Sequence, residues 1–99
     1  MTNRIVDIHA HIYPEKISHK AVKAIGDFYE LEMSAKQGTA AELKTLARKA
    51  GVVKIVIHSV ATSTRQVSSI NDFVSHEAAL DDIFIPFATL HPDMTKEEI

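Results

Sequence analysis

The segment from Val52 to Val60, VVKIVIHSV, limits the fold more than any other part of the chain. Six of its nine residues are β-branched, and such side chains are stiff at χ1 and sit better on a pleated surface than on a helix. The apolar run is nearly continuous instead of alternating with polar residues, which predicts a strand covered on both faces, as in a parallel sheet. Parallel strands need long crossover connections, usually helical, so helices are expected on either side of this segment.

The flanking sequence supplies them. Thr39 and Glu42 form a capping box that opens a helix with Leu43, Leu46, Ala47 and Ala50 on its buried side. Arg48 and Lys49 sit in its last turn, where cations suit the helix dipole, and Gly51 is placed to end it. Thr62, Ser63 or Thr64 can cap the next helix, which carries Val67, Ile70, Val74 and Ala78 in one stripe and runs to about Leu80. Ile83 to Leu90 follows as a third strand, with Pro86 costing it a ladder donor. Thr95 and Glu98 form another capping box, predicting a further helix. Upstream, Arg4 to Ile8 reads as a first strand ending in His9 and His11. Pro14 then suits a first helical turn, with Ile17, Ala21, Ala24, Ile25 and Phe28 on one stripe. Leu31 to Gly38 has no period and reads as a loop.

Strands alternating with helices, and a strand-helix-strand unit of roughly thirty residues, predict an α/β fold with a parallel sheet. A doubly wound dinucleotide-binding sheet would carry a glycine-rich turn after the first strand, whereas Asp7 to Pro14 contains no glycine. The preferred expectation is the first three strands and intervening helices of a (β/α)8 TIM barrel. A whole barrel takes about 250 residues, so residues 1–99 are expected to be an incomplete, N-terminal part of one barrel domain.

Charge and composition narrow the partners. With a net charge of −2 and no basic stripe, nucleic acid is not expected. There is no cysteine, so a metal would have to be held by histidine and carboxylate. No apolar stretch reaches membrane-spanning length and the N-terminus has no signal-like apolar run, giving the expectation of a cytoplasmic chain.

Alternate residues of a strand share a face, so Asp7, His9 and His11 are expected to line up with the two imidazoles nearest the C-terminal rim. Barrel enzymes carry their chemistry at that rim. Two neutral imidazoles suit a divalent metal, Zn²⁺ first, and Asp7 suits a supporting carboxylate. His91, at the end of the third strand, is a candidate substrate-binding residue. His58 also lies near a strand end but reads as a hydrogen-bonded histidine of the barrel wall. His19 and His76 lie among polar neighbours on helices and read as surface residues.

Asp7-Ile8-His9-Ala10-His11 followed by Ile12-Tyr13-Pro14 resembles the first-strand signature of the amidohydrolase superfamily. The branch it resembles most is the amidohydrolase-related group that includes aminocarboxymuconate-semialdehyde decarboxylase. Lys23 to Tyr29, Ile57 to Ala61 and Ala88 to Asp93 are similar to uncharacterised hydrolases of that group. The resemblance implies that His9 and His11 bind the metal, joined by histidines of the fifth and sixth strands and an aspartate of the eighth. Those later positions, and the general acid or base with them, are expected to lie outside these 99 residues, leaving the chain inactive alone. It implies a metal-activated water attacking a carbonyl-type centre of a small molecule. The alternatives are decarboxylation within the same family, a PHP-type phosphoesterase, and a non-catalytic truncated chain. Three open-edged strands also predict self-association or pairing with the missing remainder of the barrel.

Overall fold

The computed structural model describes residues 4–14, 16–17, 20–21, 23–24 and 38–99. It is an α/β arrangement with three parallel strands, β1 (Ile5–Ala10), β2 (Val52–Ile57) and β3 (Phe84–Pro86), in the spatial order β1-β2-β3. Helix α1 (Ala40–Ala50) joins β1 to β2 and helix α2 (Thr64–Leu80) joins β2 to β3. The described residues Lys16, Ile17, Lys20, Ala21, Lys23 and Ala24 are helical as well. Ile25, Phe28 and residues 31–37 of the expected loop lie outside the described residues.

Local chemistry sets the ends of α1. Thr39 stays extended, and its hydroxyl oxygen accepts the Glu42 N–H at 3.2 Å. The Glu42 carboxylate reaches back to the N–H of Gly38 at 3.3 Å, one residue before the position a standard capping box would use. At the other end Gly51 takes the left-handed conformation, φ 79°, and its N–H turns back to the carbonyls of Ala47 and Arg48. Other L-residues would be strained there, so the glycine ends the helix and releases the chain into β2. Helix α2 starts differently. Its N-cap Ser63 makes no side-chain cap bond, and the Gln66 side chain instead accepts both the N–H and the hydroxyl of Thr62 at 2.8 Å.

The core lies between the helices and one sheet face. Ile55 and Ile57 of β2 are fully shielded and meet Ala47 of α1, Val74 of α2, Phe84 of β3, and Ala10 and Ile12. Both helices therefore cover the same face. Asp81 fastens the far end of α2: its carboxylate accepts the Ile83 N–H at 3.1 Å and pairs with Lys44 of α1 at 3.2 Å. The Ile83 N–H, then Lys44, hold that carboxyl below its ordinary pKa.

Two expectations need correction. The third strand is three residues long, not eight. The rungs to β2 fall on alternate residues, the Ile83 carbonyl accepting the Ile55 N–H at 2.8 Å and Phe87 donating to the Ile57 carbonyl at 2.9 Å, so the missing N–H of Pro86 faces away from β2; Thr89, the next such position after Phe87, is taken over by a side chain. Asn71 of α2 accepts the Thr89 N–H at 2.8 Å and donates to its carbonyl at 3.1 Å, in place of a strand neighbour. The second correction concerns burial. Val6, paired with Lys54, and Ile85, paired with Val56, lie on the face the helices do not cover and are 50% and 37% exposed. Val56 of β2, on the same face, is nonetheless buried, so the end of the central strand is shielded on both faces and the openness falls on β1 and β3. Thr95 and Glu98 form the expected reciprocal cap, at 2.9 and 3.3 Å, and the Thr95 carbonyl accepts the Ile99 N–H at 3.3 Å across the turn at residues 96–98.

Packing differences within β2 give a test. Truncating Ile57, which has no exposed surface, leaves a cavity on the helix side; Val53 is 44% exposed and leaves none. Ile57→Ala is expected to cost about 2–5 kcal/mol and Val53→Ala under about 1 kcal/mol, read from urea unfolding curves.

Candidate metal centre

All three strands end at the same edge of the sheet, and the histidines follow from where β1 and β2 stop. β1 runs beside β2 with Asp7 against Ile55 and Ala10 against Ile57, so β1 uses one more residue than its partner over this stretch. An extra residue of this kind is a bulge, which bends a strand and re-aims its side chains. Its cause is local: the Asp7 carboxylate accepts the N–H of His9 at 3.0 Å and so removes that donor from the ladder. Asp7 thus supports His9 through the main chain and not through its ring.

In a straight strand, residues two apart are separated by about 6.6 Å along the chain. Here the Nε2 atoms of His9 and His11 come to 3.2 Å. In the last rung, the His58 N–H donates to the Ala10 carbonyl at 3.1 Å, and the His58 carbonyl lies 2.7 Å from Nδ1 of His11. A carbonyl only accepts, so Nδ1 of His11 carries the hydrogen and its Nε2 keeps a free lone pair. In neutral rings the proton between the two Nε2 atoms then belongs to His9.

The donor set fits a divalent ion. Two ligands at about 2.0–2.1 Å from a tetrahedral ion stand about 3.3 Å apart, close to the observed 3.2 Å. The backbone carbonyl holding the rear nitrogen of His11 is the usual partner of a metal-binding imidazole, fixing its tautomer and its aim.

The ring of His58 stands against both, with centroids 4.4 Å from His9 and 4.8 Å from His11, edge to face. One nitrogen from each of the three histidines lies within 4.8 Å of the others. Partial burial, and then the charges that His11 and His9 would carry, hold His58 below its ordinary pKa of 6.5. It is therefore not the separate wall histidine that its sequence position suggests. The missed signal was register. Once Ala10 pairs with Ile57, the residues just beyond each strand end are neighbours in space, and one sequence segment read alone does not carry that pairing.

His91 is elsewhere in the loop after β3. Its Nδ1 accepts the Asp93 N–H at 3.2 Å and its own N–H points at the Met94 sulfur at 3.3 Å, so it is occupied in its own turn. His91 does not line the groove of about 720 Å³ formed by Ile12, Tyr13, Ile17, Ala21, Ile70 and Phe73 among others, and neither do the three clustered histidines. That groove runs between the helical residues Ile17, Lys20, Ala21 and Ala24 and α2. Burial there raises the pKa of the Tyr13 hydroxyl.

No family model, curated protein or solved structure matches the chain.

The His58 shift has a direct consequence. A histidine whose folded pKa lies below the unfolded 6.5 binds its proton more readily in the unfolded chain. Its contribution is intact above pH 6.5 and is lost as pH falls through the folded value. An NMR titration is expected to place the His58 midpoint below 6.5, with unfolding free energy dropping over the same window.

Proposed function

We propose that the chain carries the metal-binding strand end of a divalent-metal hydrolase of the amidohydrolase type, acting on a carbonyl-type centre of a small molecule. The observation that carries this reading is the 3.2 Å approach of the Nε2 atoms of His9 and His11 at the C-terminal edge of a parallel sheet. That edge is where parallel α/β enzymes place their chemistry, and the sheet order β1-β2-β3 with both helices on one face fits the opening strands of a (β/α)8 barrel. The uncovered face, with Val6 and Ile85, then corresponds to a barrel interior.

His9 and His11 would hold the ion, Zn²⁺ by preference for imidazole donors. Bound there, such an ion polarises a carbonyl and lowers the pKa of water toward about 7. The protein's part is orientation. The His58 carbonyl fixes His11 in the tautomer that presents Nε2, and Asp7 fixes the bulge that turns His9 toward it. Both imidazoles must be neutral to bind.

Joined to the remainder of the barrel, the Zn²⁺-loaded protein is expected to hydrolyse carboxylic esters or lactones and to leave phosphomonoesters intact, whereas residues 1–99 alone are expected to show no turnover. Turnover should fall by more than about 100-fold in His9→Ala and in His11→Ala, and with a chelator, followed by initial rates. Phosphomonoester cleavage, or carbonyl hydrolysis unchanged in both variants, would refute the reading.

A further inference from the structure

We infer that His58 is a third metal ligand, so that β1 and β2 alone assemble a three-histidine site with one position left open. This rests on the metal-binding reading of His9 and His11 and extends it to the next strand. The pair by itself supplies two nitrogens, whereas a catalytic zinc ion takes three protein ligands and one exchangeable position. The ring of His58 is the group that stands within reach. One nitrogen of each ring falls inside a 4.8 Å span, and His58 packs edge-on against both other imidazoles. Among the described residues, no other group of three histidine or carboxylate side chains converges in this way.

The movement required is small. His9 and His11 already have the spacing of adjacent ligands. Bringing His58 from within 4.8 Å to the tetrahedral spacing of about 3.3 Å takes a shift of roughly 1.5 Å. Rotation about the side-chain torsions of one half-buried histidine supplies that much without moving β2. Its chemistry suits the role too, since an uncharged imidazole has a lone pair to give and three imidazoles suit zinc, copper, iron or nickel better than magnesium or calcium. His58 also has two separable functions. Its carbonyl orients His11 from behind, while its ring faces the place where the ion would sit.

That separation makes the experiment clean, because His58→Ala removes the ring and keeps the carbonyl. Zn²⁺ alone is titrated into the protein by calorimetry, and Co²⁺ alone is followed by its visible ligand-field bands. One ion per chain is expected, with Co²⁺ bands of tetrahedral intensity. In His58→Ala, affinity should fall by roughly 100-fold or more and the Co²⁺ bands should weaken toward a higher-coordinate, water-rich pattern. His76→Ala should match the wild type. Nitrogen-15 NMR of the histidine rings in the unmutated protein gives a readout that does not depend on the variant folding. Zn²⁺ is expected to move one ring nitrogen each of His9, His11 and His58. If His9 and His11 respond while His58 does not, this inference is overturned and the metal-hydrolase reading stands. If none of the three responds, both are overturned.

Discussion

The register of β1 against β2 is the constraint on which the rest depends. Parallel neighbours share their rungs, and fixing Asp7 beside Ile55 and Ala10 beside Ile57 fixes what lies past each strand end. The last rung, from the His58 N–H to the Ala10 carbonyl, brings the residue after β2 to the side of His9 and His11. A slip of one residue would turn alternate side chains to the other face. It would separate the imidazoles and expose Ile55 and Ile57 together. The buried isoleucines thus hold the site as well as the core. A sheet residue with no exposed surface resists slippage because moving it costs about 25 cal/mol for each Å² of apolar surface returned to water.

The bulge shows how a local hydrogen bond places side chains that it does not touch. Asp7 takes the N–H of His9, the ladder loses one rung, and the strand gains a residue and bends. Two imidazoles that would otherwise stand a strand repeat apart meet at 3.2 Å. The arrangement has an electrostatic cost. Burial first, and then the neighbouring His11 and His9, hold the His58 pKa below its ordinary value. On the proposed reading, a cation between them would take three neutral imidazoles as ligands in place of protons.

A second economy appears at the other sheet edge. β3 ends at Pro86, and past it Asn71 of α2 stands in for a strand by bonding both backbone groups of Thr89. Helix and loop are thereby joined where the sheet gives out. His91 follows that loop and is bound into its own turn, which keeps it apart from the histidines at the ends of β1 and β2.

By itself the sequence determined the elements. The β-branched run at Val52, the Thr39–Glu42 cap, Gly51 after α1 and the apolar stripe of α2 are short-range patterns, and each became the expected strand or helix because its cause lies within a few residues. It also brought His9 and His11 to one strand end through their spacing. Tertiary structure decided the rest. It placed His58 with that pair, set His91 aside, left Val6 and Ile85 on an uncovered face and ended β3 early. These outcomes depend on which rung of β1 meets which rung of β2 and on which helix side chain reaches which loop. Such pairings join residues nearly fifty apart in the chain, as His11 and His58 are, and no periodicity within a single segment encodes them.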